Sequence, residues 1–257
     1  MRRRQIAILA RYAVLEAVRI HLFWMFVAAL ALIFALTYFL QQLAITESVR
    51  LQIAFSAAAT RLAAVFVLGL HVLGSVVREF DDKGLELTLS FDLRRSDYIL
   101  GRLLGFVLVA LPIALIAALP QFLLAPLPAV LQWGLSLALE LAIVAALSLF
   151  CIVTFNQLIP AAAFVSGFYV LARALWAIRL ISEHPIFDEH SLSQQAMAWL
   201  VEALALVLPA LDRFAQSAWL ADGAGGWSTV GANAVQAAVY AALLGAAAMF
   251  DFHRRNL

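Results

Sequence analysis

The chain has 257 residues, of which 65% are hydrophobic and 13% are charged, and its formal net charge is +1. Soluble globular domains are closer to half apolar and a quarter charged, so this composition excludes a soluble domain as the bulk of the molecule. The mean hydropathy of +0.96 favours helices that face lipid. A single cysteine, Cys151, excludes an internal disulfide and a cysteine-ligated metal cluster.

The first twenty residues predict an amphipathic helix. In residues 5–20, Arg11, Glu16 and Arg19 alternate with apolar side chains at helical spacing. This pattern is typical of a helix that lies in the membrane interface with its arginines toward the phosphate headgroups. Because these charges interrupt the apolar run, we interpret the N-terminus as an uncleaved start and residues 5–20 as an elbow that leads into the first span.

Six apolar stretches predict an all-α, polytopic membrane protein with a single domain over residues 1–257. A crossing helix needs about 20 predominantly apolar residues. The predicted spans are residues 21–40, 52–77, 98–119, 131–155, 159–181 and 229–250. Asn156 and Pro160 mark a tight turn between the fourth and fifth spans.

The periplasmic connection between the fifth and sixth spans, residues 182–228, contains a further apolar stretch. Residues 196–211 are too few for a full crossing, and they carry Glu202 and Pro209. They predict a re-entrant or interfacial helix. A full crossing here would put the two arginine-rich ends of the chain on opposite sides of the membrane.

The basic residues orient the six spans. In a six-span arrangement, 12 of the 17 lysines and arginines fall on one side, at both termini and between spans two and three. The positive-inside rule makes that side cytoplasmic, so we expect a bacterial inner-membrane protein with both termini in the cytoplasm. The 12 residues are Arg2, Arg3, Arg4, Arg11, Arg19, Arg78, Lys83, Arg94, Arg95, Arg102, Arg254 and Arg255.

The cytoplasmic loop of residues 78–97 is the most highly charged segment, with ten charged residues. A loop of this size is too small to be an enzyme, and two interpretations remain. It is a solvated connector that fixes the topology, or it is a docking element for a cytoplasmic partner. Leu85, Leu87 and Leu89 among charged neighbours favour docking, because a short helix would offer a leucine surface to a groove on another protein.

The same loop carries a sequence resemblance. The runs REFDDKGLELTLS (Arg78 to Ser90) and RRSDYILGRLLG (Arg94 to Gly105) resemble the loop between spans two and three of ABC-2 type permeases. Phe91 stands where many members carry proline, and Arg102 where lysine is usual. The resemblance extends to the elbow, the six spans, the re-entrant region and the basic C-terminal tail. Gly101 and Gly105 also predict close helix packing, within the subunit or between subunits.

The resemblance implies the membrane-spanning subunit of an exporter, which works as a dimer with a second copy or a related permease. Residues 84–90 would be the coupling helix that meets cytoplasmic ABC ATPase subunits. Lys83, the only lysine, follows Asp82, so the chain has no Walker A motif, and ATP and Mg²⁺ would be bound by the partner. No enzyme activity, cofactor or nucleic acid is expected for this chain. The implied coupling residues are Glu79, Gly84, Leu85, Glu86, Leu87, Leu89, Arg94 and Arg95.

Four charged residues interrupt apolar stretches: Arg61, Glu140, Arg173 and Glu202. A charge facing lipid is costly, so these side chains are expected to point into the bundle or a wet cavity. They form a polar vestibule for a translocated substrate, or they are ion pairs between helices, Arg61 with Glu140 or Arg173 with Glu202. His71, inside the second span, is expected to form a hydrogen bond between helices and is a weaker candidate for lining a pathway.

Other functions receive less support from the sequence. The stretch of residues 183–190 contains acidic and histidine side chains, but their spacing matches no standard zinc site, and a solvated loop is the expectation. An intramembrane enzyme would need a reactive constellation that we do not find. An ion-coupled secondary transporter would normally show an inverted repeat. A cytochrome c maturation-type exporter subunit is the nearest alternative in architecture, and the substrate stays open, with an amphiphile mildly favoured.

Overall fold

The computed structural model of the chain describes residues 2–43, 48–81, 95–183, 192–223 and 226–254. All regular secondary structure in these ranges is helical, which confirms the predicted all-α class. Two 3₁₀-helices cover Leu119–Leu123 and Leu211–Arg213. The α-helices are α1 (Arg2–Arg19), α2 (Leu22–Leu43), α3 (Ser48–Asp81), α4 (Arg95–Ala118), α5 (Leu127–Phe155), α6 (Leu158–Glu183), α7 (Leu192–Val207), α8 (Ser217–Asp222) and α9 (Trp227–Arg254).

Six helices in this part of the chain, α2 to α6 and α9, are long and apolar enough to cross a membrane. Their number confirms the predicted six spans, but the helices extend beyond the predicted bounds. The largest difference is in α3, which has 34 residues where the prediction was 52–77. At 1.5 Å per residue α3 is about 50 Å long, longer than the roughly 30 Å hydrocarbon layer, because its polar ends continue the helix outside the apolar window.

Helix α1 packs against α4 through the two glycines of the GRLLG run. A Cβ atom added at Gly101 would lie 2.7 Å from the Cβ of Leu9, and one added at Gly105 would lie 2.6 Å from the Cβ of Ala13. The glycines therefore let two backbones of the same chain approach closely. Arg4 and Arg11, on the outer face of α1, are exposed. His21, with φ 57°, separates α1 from α2.

Helix α5 lies at the centre of the bundle and contacts α3, α4, α6 and α9. It begins after Pro126, and Pro128 lies in its first turn. A proline at this position costs no intrahelical hydrogen bond, because the first backbone N–H groups of a helix have no partner within it. It ends at Asn156, whose left-handed conformation (φ 60°) caps the helix at the predicted tight turn. Of its 29 residues 18 are buried, including the whole of Trp133.

The apolar stretch before the last span is a helix followed by an irregular segment. Helix α7 ends at Val207, so the prediction of one helix over 196–211 was wrong at both ends. Pro209 disfavours helical geometry at the residue before it, which accounts for the early end. Residues 208–216, which we call the insertion segment, turn into the bundle, where Leu211, Phe214 and Ala215 are almost completely buried.

The loop that carries the coupling prediction is described only at its two borders. Helix α3 ends at Asp81 and α4 begins at Arg95. The proposed coupling helix at residues 84–90 therefore lies outside the described residues, as does the 184–191 stretch that contains most of the acidic and histidine side chains between α6 and α7.

Candidate functional site

Two clusters of polar side chains lie in the bundle, and their members are buried or partly buried except for Arg78, which is 54% exposed. The first, which we call the end cluster, consists of Glu16, Ser75, Arg78, Glu79, Tyr98 and Arg102. Arg102 is its centre, with a side chain that is only 8% exposed. Its guanidinium forms an ion pair with Glu79, donates a 2.9 Å hydrogen bond from Nε to the same carboxylate, and reaches Glu16 at 3.3 Å. One arginine thus joins α1, α3 and α4.

The remaining members of the end cluster complete the hydrogen bonds of the two carboxylates. Ser75 donates to Glu16 at 2.6 Å, and Arg78 forms an ion pair with Glu16 at 3.1 Å. Tyr98 donates to Glu79 at 2.7 Å. Burial raises the pKa of Glu16, but the hydrogen bonds and charges from Ser75, Arg102 and Arg78 outweigh it and hold the pKa below the ordinary value of 4.5.

The C-terminal end of α9 closes over the end cluster. The ring of Phe252 stacks on Tyr98, with 5.6 Å between ring centroids. Arg95, the first residue of α4, donates to the backbone carbonyls of Phe252 and His253, each at 3.3 Å. The described ends of α1, α3, α4 and α9 therefore meet at one end of the bundle.

Only two of the predicted coupling residues are described, and both are engaged at the borders of the loop. Glu79 faces Arg102 and Tyr98, and Arg95 contacts the last turn of α9. The other six lie outside the described residues: Gly84, Leu85, Glu86, Leu87, Leu89 and Arg94. Glu79 and Arg95 thus fix the two ends of the loop to the bundle.

The second cluster, the central cluster, surrounds the insertion segment about 20 Å along α3 from the end cluster, since Arg61 lies 14 residues before Ser75. Its members are Arg61, Trp133, Ser136, Glu140, Tyr169, Arg173 and Asn233. Arg61 and Trp133 both donate to the carbonyl oxygen of Ala215, at 2.9 and 3.0 Å. The amide of Ala215 donates to Ser136 at 3.1 Å. Both backbone groups of this buried residue are therefore satisfied by side chains.

Three more carbonyl oxygens of the insertion segment accept hydrogen bonds from side chains of the surrounding helices. Arg173 donates to the carbonyl oxygens of Leu211 and, at 2.9 Å, Phe214. Asn233 donates to the carbonyl oxygen of Arg213 and to Ser136, each at 3.1 Å. Irregular backbone at membrane depth is stable only where protein or water satisfies its polar groups. Here, side chains from α3, α5, α6 and α9 satisfy them.

Glu140 is the only acidic side chain of the central cluster and is completely buried. Its Oε1 accepts a 2.9 Å hydrogen bond from Tyr169 and lies 3.4 Å from Arg173. Arg61 is close enough for its charge to act on Glu140. The second carboxylate oxygen, Oε2, has no hydrogen-bond partner in the described part of the chain.

Three of the four charges predicted inside apolar stretches are therefore brought together: Arg61, Glu140 and Arg173. The ion pair is Arg173 with Glu140, which is neither of the two simple pairings expected from the sequence. Glu202 is exposed on α7, and it forms no ion pair among the described residues.

His71 is buried and packs edge-on against Phe106, but neither ring nitrogen has a hydrogen-bond partner within the described ranges, contrary to expectation.

Sequence reasoning missed the uncharged members of the central cluster. Ser136 and Glu140 are four residues apart on α5, a spacing that places them on one helix face. That spacing was a usable signal, as was a single asparagine, Asn233, in the last span. The acceptors gave no signal, because they are backbone carbonyl oxygens of residues such as Leu211 and Ala215.

Comparison with known proteins does not add to this picture, because no protein-family model matches the chain and a search of curated proteins finds no similar sequence.

Proposed function

We propose that this chain is the membrane-spanning permease subunit of an ABC-2 type exporter in a bacterial inner membrane. In this proposal both termini are cytoplasmic and α1 is the elbow helix. Residues 84–90 form the coupling helix on which a separate ATPase, which binds ATP and Mg²⁺, acts. A second copy of the chain, or a related permease, completes the transporter. The support is the motif resemblance of residues 78–105 together with six helices of membrane-spanning length.

The observation that carries the proposal is the position of the end cluster at the two borders of the charged loop. Arg102, in the second turn of α4, is bound to Glu79 in the last turn of α3 and to Glu16 of α1. Helices joined by buried ion pairs move together, since separating them leaves uncompensated charges. A displacement of the loop by an ATPase would therefore be transmitted to α1, α3 and α4 as one unit.

The insertion segment supports a transport role from the other half of the bundle. In addition to its buried apolar side chains, it is held by hydrogen bonds from side chains of four helices. A hydrogen-bond network can switch between discrete sets of partners, and this property suits a segment that opens and closes a pathway. In the proposal this segment closes the periplasmic side.

Two related functions differ in the source of energy or in the cargo. A cytochrome c maturation-type exporter subunit would share the ATPase and differ in substrate. An ion-coupled secondary transporter is favoured by one observation, the buried carboxylate of Glu140, whose Oε2 has no hydrogen-bond partner among the described residues, because buried carboxylates carry protons or cations in such proteins. ATP dependence separates it from the leading proposal.

The test is reconstitution with the ATPase. We expect the tagged chain, purified from its native membranes, to recover a polypeptide with Walker A and signature motifs, and to stimulate ATP hydrolysis by that polypeptide in proteoliposomes. Glu86→Arg and Arg94→Glu should abolish most of the stimulation and leave membrane insertion unchanged. Asp222→Arg, a charge reversal near the opposite end of α3, should retain it. Failure to recover an ATPase, or normal stimulation in both loop variants, would overturn the proposal.

A further inference from the structure

Ala215, in the insertion segment, has a backbone conformation that is unfavourable for alanine. Its φ is 41°, in the left-handed region, where a Cβ atom lies too close to the following carbonyl oxygen. Two other non-glycine residues of the described chain have a positive φ, His21 and Asn156. Both are exposed and lie at the ends of α-helices, and asparagine tolerates this region. Ala215 is completely buried and ends no α-helix, so its conformation has another cause.

The cause lies in three side chains that bind the backbone of Ala215. Its carbonyl oxygen accepts hydrogen bonds from Arg61 at 2.9 Å and from Trp133 at 3.0 Å, and its amide donates to Ser136 at 3.1 Å. An unfavourable backbone conformation persists only where the surrounding structure holds it. Side chains of α3 and α5 therefore keep one strained residue in place.

The strain in the insertion segment is confined to this residue. Phe214 and Gln216, on either side of it, have extended backbone with φ of −87° and −65°. Ala210, at the other end of the segment, has φ −73°. Negative values of φ are open to every residue with a Cβ atom. Once its side-chain partners let go, Ala215 would therefore gain by rotating φ to a negative value.

We propose that Ala215 is a backbone switch that is strained while the insertion segment lies in the bundle. When Arg61, Trp133 and Ser136 release this residue, φ becomes negative and residues 208–216 leave the bundle together. The strain favours this movement, and the hydrogen bonds oppose it. The switch follows from the backbone and its partners alone; that its movement opens a pathway for a substrate rests on the proposed transport function.

A glycine substitution separates the strain from the hydrogen bonds. All three bonds involve backbone atoms of Ala215, so Ala215→Gly keeps them. Glycine accepts a positive φ without a steric penalty, and this gain exceeds the flexibility that glycine adds to the released segment. Ala210→Gly is the matched control, because φ there is already negative and only the added flexibility remains. The two substitutions should therefore have opposite effects on the release of the segment.

Trypsin at low concentration measures how often the segment leaves the bundle. Arg213 is the only lysine or arginine in residues 180–253, and the residues that follow it, Phe214 and Ala215, are completely buried. Trypsin can cut after Arg213 only when these neighbours enter its active site, so the cleavage rate follows the population of the released segment. In nanodiscs that contain the full chain, Ala215→Gly should slow this cleavage about fivefold, and Ala210→Gly should speed it about twofold.

Loss of one hydrogen bond tests the other half of the switch. Ser136→Ala leaves the amide of Ala215 without its acceptor and should speed cleavage after Arg213 about fivefold. Adding Ala215→Gly to this variant should bring the rate back toward that of wild type, because the remaining hydrogen bonds no longer oppose strain. Hydrogen exchange of residues 208–216 in the same samples should rank the variants in the same order, and it does not depend on access by trypsin.

Cleavage of Ala215→Gly at the wild-type rate or faster would overturn the proposal, because the left-handed conformation would then make no difference to release. Equal slowing by Ala210→Gly, or an unchanged rate in Ser136→Ala, would overturn it as well. No ATPase is present in these experiments. Their failure would therefore leave the recovery of an ATPase untouched, and a missing ATPase would leave the switch standing.

Discussion

The end cluster and the central cluster both bury an arginine against a carboxylate, and they differ in what satisfies the rest of the guanidinium. In the end cluster Arg102 binds two carboxylates, Glu16 and Glu79, which themselves accept from Ser75 and Tyr98. In the central cluster Arg173 shares one carboxylate with Tyr169 and gives its remaining hydrogen bonds to backbone carbonyl oxygens.

The difference follows from what each arginine faces. Arg102 lies where regular helices meet, and helices present no free backbone groups along their length, so only side chains can compensate it. Arg173 and Arg61 face the insertion segment, where the carbonyl oxygens of Phe214 and Ala215 accept hydrogen bonds from side chains and would be costly to leave unsatisfied. The first cluster joins helices to one another, and the second holds irregular backbone in the bundle. Mutations should therefore affect global stability in the first and local order in the second.

The largest effect is expected from Arg102→Leu. This change leaves Glu16 and Glu79 buried without their common cation, and breaking a buried ion pair by removing one partner costs about 3–5 kcal/mol. Arg102→Lys is the matched control, because it keeps the charge and should recover part of the loss. Reversible unfolding in mixed detergent micelles measures both. A loss below about 1 kcal/mol for Arg102→Leu would mean that the end cluster does not hold the helices together.

A smaller and more local effect is expected from Arg173→Leu. Glu140 keeps its hydrogen bond from Tyr169 and the nearby charge of Arg61, so the expected loss is about 2–3 kcal/mol. Because the carbonyl oxygen of Phe214 loses its donor and that of Leu211 keeps only the backbone amide of Phe214, residues 208–216 should also become sensitive to protease in nanodiscs.

Glu202→Gln is the control for this prediction, because Glu202 is the residue that the sequence offered as the partner of Arg173. It is exposed on α7, so its loss should change the stability by less than about 0.5 kcal/mol. Equal destabilisation by the two variants would restore the pairing of Arg173 with Glu202.

A pH-dependent effect is expected in the end cluster. The pKa of Glu16 is lower in the folded protein than its ordinary value of 4.5, so the carboxylate stabilises the fold at pH values above 4.5 and loses this contribution as the pH falls through the folded pKa. Glu16→Gln should therefore unfold at a lower temperature than wild type at pH 7, and the difference should shrink by pH 3.5. A difference that stays constant from pH 7 to pH 3.5 would show that Glu16 acts through packing rather than charge.

Much of the fold was predictable, because crossing helices are specified by composition over about 20 residues and by the arginines that flank them. The six spans and the turn at Asn156 follow from these local signals. The ends of α3 and α7 were predicted poorly. Ser48 and Asp81 lie in polar sequence that the apolar window does not reach, and the end of α7 depends on the conformation that Pro209 imposes.

The candidate site was predictable only in its charged members. Arg61, Glu140 and Arg173 stood out because charges are rare in apolar stretches. Their partners did not, since the pairing depends on how α5 and α6 lie against the insertion segment and on carbonyl oxygens that every residue possesses. Glu79 was singled out through the resemblance of the charged loop, and its contacts with Tyr98 and Arg102 join the two helices on either side of that loop.

The smallest effect is expected from an ion pair outside both clusters. Arg50 near the start of α3 binds Asp222 at the end of α8, and both side chains are more than half exposed. Water screens such a pair, and ordering two flexible side chains offsets part of the attraction, so exposed pairs contribute about 0–1 kcal/mol. A double-mutant cycle with Arg50→Ala and Asp222→Ala should give a coupling energy in that range that decreases in 0.5 M salt. A coupling as large as the loss in Arg102→Leu would contradict this expectation, because it would make an exposed pair as important as one that is buried between helices.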